Sequence, residues 1–156
     1  MAKVTFKTVS AFAGPAESPG FLLWHVSTSW RRSVETVLKS LALTHPQFVV
    51  LATVGWLTRH DASTTQAAIG KMAGLDPNTI SQILKSLEDK KLIMRQTLSD
   101  GRVKNPFLTA AGADLLTRAL PAVEGADAAF FASLSPQERA YMLQIFHKLT
   151  SCALYR

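Results

Sequence analysis

Hydrophobic side chains recur at steps of three and four residues along much of this chain, which is the spacing of one face of an α-helix. The first stretch runs from Phe21 to about Ala42, and its apolar stripe is wider at the start than a small domain needs for its own core. Thr44 and Gln47 form a capping box that opens the next helix. The pattern predicts a mainly helical chain that begins with an unusually apolar helix.

The end of the chain repeats this character. A long helix is predicted to begin at Thr109 and to be interrupted or kinked at Pro121. Ser135 and Glu138 make a further capping box, which opens a last helix. One face of that helix is apolar and carries Met142, Ile145, Phe146 and Leu149. Both terminal helices are therefore richer in apolar residues than their own chain can use.

Residues 64–109 lie between these helices and have a different pattern. A helix from about Thr65 to Ala73 is predicted to end at Gly74, and Asp76 caps a second helix that runs to about Lys90. Residues 92–96 and 104–108 have the pattern of short strands, and the intervening Asp-Gly is a strong turn signal. This order predicts a winged helix-turn-helix, in which a helix fits the major groove of DNA and a hairpin reaches beside it.

The second helix of the pair has one apolar and one polar side. Ile80, Ile83, Leu84 and Leu87 share the apolar side, while Gly70 provides a small residue at the expected helix crossing. Amide, hydroxyl and ammonium groups on the polar side can bond base edges or phosphates, although an ordinary solvated helix face has the same appearance. The predicted DNA-binding residues on this side are Pro77, Asn78, Thr79, Ser81, Gln82 and Lys85.

Arg102 follows the hairpin turn, with Asp100 two residues before it. A short carboxylate there can brace the Arg side chain for the minor groove. Arg95 and Lys104 flank the turn and are predicted to contact phosphates, which fixes register without reading sequence. A plain surface hairpin with a weak ion pair is the alternative interpretation.

Length and composition fit one domain, or one domain with appended helices. Hydrophobic residues make up 47% of the 156 residues, and 17 Lys and Arg against 11 Asp and Glu give a net charge of +6, which attracts polyanions. No signal peptide or transmembrane run is visible, so a cytoplasmic location is expected. The four histidines have no metal-ligand spacing and no catalytic constellation stands out, so we expect no metal, no cofactor and no enzyme activity.

The first long helix also offers a candidate ligand site. Trp24, His25, Trp30 and Arg31 combine aromatic walls with a cation, which suits an aromatic acid. Packing in a dimer interface explains the same residues, and we favour it. Cys152 is the single cysteine, so no disulfide can form within the chain. We expect its thiol to have a structural role or none, rather than to sense oxidants.

Taken in order, these motifs resemble the MarR family of winged-helix transcriptional regulators over roughly residues 21–150. The matching segments are LTHPQFVVLATVGWL, TTQAAIGKMAGLDPNTISQILKSLEDKKLIMR and SDGRVKNPFLTAAG, with the Asp-x-Arg wing and the Leu-Thr-x-x-Gly exit of the family. The resemblance implies a homodimer built from the first and last helices of both subunits. Members of the family commonly repress nearby genes, and many release DNA when a small molecule, often aromatic and anionic, binds between the dimer region and the winged domain, so the resemblance implies such an effector.

The resulting expectation is a mainly α protein with a two- or three-stranded β-wing. Residues 1–20 form an N-terminal extension, 21–45 and 110–156 the helical dimerisation region, and 46–109 the winged helix-turn-helix. Two-fold symmetry predicts an inverted-repeat operator in double-stranded DNA. The alternative is a winged-helix protein-interaction module that has lost DNA binding, because the recognition helix carries no Arg.

Overall fold

The computed structural model describes residues 2–60, 62–97 and 104–154, without the side chains of residues 96, 97, 104 and 152–154. The predicted mainly helical fold with a small wing is confirmed, and a short 3-10 turn at Pro15–Glu17 precedes the first long helix. The elements are α1 (Phe6–Val9), α2 (Pro19–Lys39), α3 (His45–Thr58), α4 (Gln66–Ala73), α5 (Pro77–Asp89), β1 (Ile93–Thr97), β2 (Lys104–Leu108), α6 (Ala110–Phe130) and α7 (Pro136–Leu154).

Helix starts follow the capping residues of the sequence. Thr44 accepts a hydrogen bond from the backbone N–H of Gln47 at 3.3 Å, and the Gln47 side chain accepts one from Thr44 N–H at 3.1 Å. Helix α6 runs continuously through Pro121, so an interruption there is wrong, and the alternative of a kink stays a prediction. Proline removes one helical hydrogen bond, but Pro121 and Thr117, whose carbonyl loses its donor, are both exposed, and water can bond the carbonyl instead.

The core is built around α3. Val50, Leu51 and Val54 of this helix are fully buried, and residues from the other elements close around them. Helix α2 contributes Val34 and Leu38, the α4–α5 pair contributes Ile69, Ile80, Leu84 and Leu87, β1 contributes Ile93, and α6 contributes Leu115, Leu116, Ala119 and Val123. The winged part therefore shares one interior with the inner faces of α2 and α6, and this interior fixes α5 against α3.

Strands β1 and β2 form an antiparallel pair, with Ile93 opposite Leu108 and Thr97 opposite Lys104. Pro106 lies opposite Arg95 and is fully buried. A proline fits here because each strand of a two-stranded sheet is an edge strand, where a missing N–H breaks no central ladder.

The wing passes into α6 through a tight backbone contact. Thr109 donates from its N–H to the Leu92 carbonyl at 3.1 Å and from its hydroxyl to the Lys91 carbonyl at 2.7 Å. The same hydroxyl accepts the N–H of Gly112 at 3.0 Å, which caps the helix. A Cβ on Gly112 would lie 1.9 Å from the Leu92 oxygen, so only glycine fits at this position.

The outer helices leave much apolar surface uncovered. Trp24 on α2 is 67% exposed, and Ile145 and Leu149 on α7 are 56% and 60% exposed. An open apolar groove of about 560 Å³ lies between α2, the end of α6 and α7, and its lining includes Val26, Phe130 and Met142. Within the described ranges, no helix is both long and apolar enough to cross a bilayer.

Candidate nucleic-acid interface

Helices α4 and α5 meet as a helix-turn-helix with glycine at the two positions that require it. Gly70 is buried, and a Cβ there would lie 3.2 Å from the Leu75 carbonyl oxygen. Gly74 ends α4 with φ +66° and ψ 32°, in the left-handed region that favours glycine. Gln66 donates from its side-chain amide to the Pro77 carbonyl at 3.2 Å, which ties the start of α4 to the start of α5.

Asp76 fixes the first turn of α5. One carboxylate oxygen accepts the backbone N–H groups of Asn78 and Thr79, each at 3.0 Å, and the other accepts the Thr79 hydroxyl. The bond from the Thr79 hydroxyl, followed by those from the backbone, holds the pKa of Asp76 below its ordinary value. The carboxylate is therefore occupied by the helix start that would approach DNA.

The two sides of α5 are separated as the sequence predicts. Ile80, Leu84 and Leu87 are fully buried against α3 and α4. On the opposite side, a row of neutral donors and acceptors ends in one cation. The exposed members of this row are Asn78, Ser81, Gln82 and Lys85, and Pro77, which is exposed but has no hydrogen-bonding side chain, precedes them. The row can present hydrogen-bonding groups to base edges and one ammonium to a phosphate.

Thr79 departs from this row. It is half-buried, and its hydroxyl donates to Asp76. The hydroxyl therefore serves the cap of its own helix, which is a common use of Thr near a helix start. Its predicted contact with DNA remains a prediction.

Arg95 at the base of the wing has a partner within the chain. Its Nε donates to the Glu88 carboxylate at 2.9 Å, and its Nη2 donates to the same oxygen. The pair connects β1 to the last turn of α5, and the Arg95 side chain is only 20% exposed. The structure thus gives Arg95 a role between wing and helix beside the predicted phosphate contact.

The remaining predicted wing contacts cannot be compared with the structure. Asp100 and Arg102 lie outside the described residues, and so does the side chain of Lys104, which begins β2.

Gln47 and Lys90 form hydrogen bonds that connect α5 to α3 and to the end of α2. The sequence did not single out either residue as a site residue. Gln47 on α3 donates to the Ser86 hydroxyl at 2.8 Å, and Lys90 donates to the Gln47 amide oxygen at 2.9 Å. Lys90 also donates to the Ala42 carbonyl at 2.7 Å. The capping box predicts the place of Gln47 on its own helix, but nothing local in the sequence shows a contact with residues about forty positions away.

The predicted ligand residues differ in exposure and in their partners, and their role in ligand binding stays a prediction. Trp24, His25 and Arg31 are exposed, and His25 packs edge-on against Phe21. Trp30 is half-buried, and its indole N–H donates to Asp127 at 2.6 Å. Among the described residues, no group of three or more His, Cys, Asp or Glu side chains could hold a metal ion.

Trp30 instead belongs to a contact between α2, α3 and α6. Its ring packs edge-on against His45, with 5.1 Å between centroids. Burial, and then the positive charge of Arg31, lower the pKa of His45, against the opposing effect of Glu35 and Asp127. This contact joins the outer helices to the first turn of α3.

A groove that the sequence did not indicate lies between α3 and α6. Its volume is about 470 Å³. The Arg59 guanidinium lies 3.8 Å from the centroid of the Trp56 ring and forms part of the wall. The rest of the lining is mostly apolar and comprises Ala52, Gly55, Leu108, Ala113, Leu116, Thr117 and Leu120. Trp56 and Arg59 are three residues apart on one helix, so their adjacency was the only available sequence signal.

Comparison with known proteins places this arrangement in a family. The model of the MarR family matches residues 43–104. The chain is 38% identical over 130 residues to the uncharacterized HTH-type transcriptional regulator YdcH of Bacillus subtilis. The aligned part makes up 83% of this chain and 88% of YdcH. It is 33% identical over 124 residues to the HTH-type transcriptional repressor Rv2887 of Mycobacterium tuberculosis, covering 78% of this chain and 86% of the relative.

Solved structures agree over nearly the whole chain. Rv2887 in complex with DNA superposes with a TM-score of 0.67 at 28% identity, covering 85% of this chain and 97% of that one. Rv2887 in complex with salicylic acid gives 0.65 at 30% identity, with 85% and 96% covered. MepR of S. aureus in complex with DNA gives 0.73 at 26% identity, with 87% and 96% covered. The chain therefore belongs to the MarR family of transcriptional regulators.

Proposed function

We propose that this protein is a dimeric, sequence-specific DNA-binding repressor that acts in the cytoplasm and has no catalytic role. The observation that carries the proposal is the division of α5 into a fully buried apolar side and an exposed row of hydrogen-bonding side chains. In this proposal Asn78, Ser81 and Gln82 contact bases, while Lys85 contacts a phosphate or guanine. The DNA complexes of Rv2887 and MepR support the assignment.

The apolar outer helices supply the dimer. Most side chains of α7 are exposed, although several are large and hydrophobic, and α2 begins with a further apolar cluster. Large exposed apolar patches commonly mark surfaces at which proteins associate. A second copy that pairs through α2, α6 and α7 places two α5 helices on one duplex, which calls for an inverted-repeat operator.

The effector of this proposal binds in the groove between α3 and α6. Trp56 and Arg59 offer an aromatic face and a cation above an apolar floor, a combination that suits a small aromatic carboxylate. The salicylic acid complex of Rv2887 supports this class of ligand. Occupation of the groove would alter how α6 packs on α3, and therefore how the two winged parts are spaced.

The effector site is tested by titrating salicylate into the purified protein while following tryptophan fluorescence and operator binding. Saturable quenching is expected, together with weaker DNA binding. Arg59→Met should abolish both responses and leave DNA affinity without salicylate unchanged. Arg31→Met is the matched control, because Arg31 is an exposed cation of the originally predicted site. If Arg31→Met abolishes the responses and Arg59→Met does not, the effector lies at the first part of α2 instead.

DNA binding is tested by recovering bound duplexes from a random-sequence pool and measuring affinity at several salt concentrations. We expect an inverted repeat and a steep loss of affinity as salt rises, because bound cations release counterions from the phosphates. Gln82→Ala should lower discrimination at one base-pair position, by about 1–3 kcal/mol for a good bidentate contact. A protein that recovers no duplex even at low salt would instead be the interaction module that has lost DNA binding.

The wing is tested by Arg102→Ala. We expect weaker operator binding at fixed salt with little change in the free energy of unfolding, because a minor-groove Arg contributes to binding and not to the core. Arg118→Ala on α6, an exposed cation paired with Asp114, is the control for the loss of one positive charge. Equal operator affinity in the Arg102 variant and the wild type would refute the role of the wing.

A further inference from the structure

Helices α2 and α5 end in the same way. Ala42 has φ 52° and Lys91 has φ 58°, so each helix leaves through a non-glycine residue in the left-handed region. The next residue then bonds back five positions, from Leu43 N–H to the Leu38 carbonyl and from Leu92 N–H to the Leu87 carbonyl. Both turns have the Schellman form, in which glycine is usual. The exits of an outer helix and of the DNA-reading helix are thus rigid and alike.

Lys90 joins these two exits. Its ammonium donates at 2.7 Å to the carbonyl of Ala42, which is the left-handed residue at the end of α2. Lys90 itself is the last capping residue of α5, directly before the left-handed Lys91. A cation at the end of a helix also complements the partial negative charge of its carbonyls. One side chain therefore ties the end of α5 to the end of α2.

Gln47 completes the connection. Its amide oxygen accepts from Lys90 and its amide nitrogen donates to Ser86, one turn earlier on α5. The same amide oxygen closes the capping box at the first turn of α3. The amide therefore bonds two turns of α5 and the start of α3 at once, on the side of α5 away from its exposed row.

We propose that Lys90 and Gln47 form a clamp that sets the angle of α5 relative to the outer helices, and so fixes the half-site spacing that the dimer accepts. The inference rests on the proposed DNA-binding function. The hydrophobic effect that keeps α5 on the core is non-directional, and the hydrogen bonds of the amide and the ammonium add a directional preference to the packing angle. Lys90 and Gln47 are thus positioning residues that need not touch DNA.

Operator spacing is the measurement that tests the clamp. Duplexes recovered by the wild type are resynthesised with one base pair added or removed between the half-sites, which turns them by roughly 35° about the DNA axis. The wild type should lose roughly tenfold or more in affinity on either change, because both heads must bind at once. Lys90→Met and Gln47→Met should bind the best spacing more weakly but lose less than about threefold on the same changes.

Two controls separate positioning from charge and from folding. Lys91→Met removes the neighbouring exposed cation and should keep the wild-type dependence of affinity on spacing. Lys90→Arg retains a positive charge and a donor, and should keep part of that dependence. Urea unfolding shows which variants are folded, and either clamp variant alone suffices for the test. Unchanged spacing profiles in the folded clamp variants overturn the clamp and leave the proposed function intact. Recovery of no duplex by the wild type overturns the proposed function and the clamp with it.

Discussion

The winged part of the chain and the outer helices are both rich in apolar residues, yet they bury them to different extents. Leu51, Ile80 and Leu84 in the winged part are fully buried. On α7, Tyr141, Ile145 and Leu149 are all more than half exposed. The winged part finds its apolar contacts within one chain, because α3 is surrounded by α4, α5 and β2 and is also covered by α2 and α6.

The difference agrees with the proposal that the outer helices form half of a dimer interface. Stability of the winged part should be a property of the single chain and independent of protein concentration. In the proposed dimer the outer helices gain their burial from a second copy, so their stability should depend on concentration by mass action. The following experiments try to break that distinction.

The largest expected effect is that of Gly112→Ala, at the junction of the two regions. The added Cβ would meet the Leu92 oxygen at 1.9 Å, and backbone on both sides must move. Overpacking of this kind is expected to lower the free energy of unfolding by about 3 kcal/mol. Urea denaturation of the variant and the wild type measures the difference.

Gly125→Ala makes the matched comparison in the same helix. No atom lies within 4 Å of a Cβ at Gly125, and alanine is the better helix former by about 1 kcal/mol. A small gain in stability is expected. Equal effects of the two substitutions would show that the contact between Leu92 and Gly112 does not constrain the junction.

Ile145→Asp should separate the two regions. A carboxylate in an apolar interface raises the dissociation constant of the dimer, by roughly thirtyfold for a loss of about 2 kcal/mol. Sedimentation measures association, and circular dichroism should show that the winged part stays folded. Gln144→Asp on the neighbouring position of α7 introduces the same charge as a control. A dimer that is unaffected by Ile145→Asp would exclude this face of α7 from the interface.

Ala42→Gly should stabilise the chain by less than about 1 kcal/mol. Glycine relieves the left-handed strain at φ 52°, and its larger entropy in the unfolded chain offsets part of that gain. Ala67→Gly on the exposed side of α4 is the control, and should instead cost about 1 kcal/mol because Ala67 is helical. Thermal or urea unfolding compares them. A loss of stability in both variants would contradict a strained exit from α2.

The smallest effect expected is a pH dependence from His45, where the two regions meet. Its pKa in the folded protein lies below the ordinary 6.5, so the unfolded chain binds the proton more readily. The unfolding free energy should therefore fall as the pH drops below about 6.5, until the folded pKa is passed. His45→Gln should remove this part of the slope in urea titrations at pH 5 to 8. A slope that is unchanged in the variant would assign the pH dependence to other groups.

Local patterns predicted the elements well. The caps at Thr44, Asp76 and Thr109 and the glycine exit at Gly74 each depend on neighbours within a few residues, which a sequence displays directly. The apolar side of α5 followed from helical spacing alone. The interruption at Pro121 was wrong, because an exposed proline can remain within a long helix that is held by contacts on its other face.

Long-range contacts were beyond the sequence. Gln47 reaches Ser86 and Lys90 across about forty residues, and Trp30 reaches Asp127 across 97. Spacing gives no information on such distances. The partner of Arg95 was also missed. Its positive charge suggested a contact with phosphate, but spacing along the chain did not show that Glu88 accepts a hydrogen bond from its guanidinium.

Thr109 is at once the residue after β2 and the cap of α6, so no linker separates the DNA-binding head from the outer helix α6. A connection without slack transmits rotation, and the head must turn with the helix that follows it. Anyone who transplants this head onto another regulator's scaffold would have to carry the first turn of α6, through Gly112, along with it. A head that ends at Thr109 would keep all of its own residues but lose the contacts that fix its orientation relative to α6.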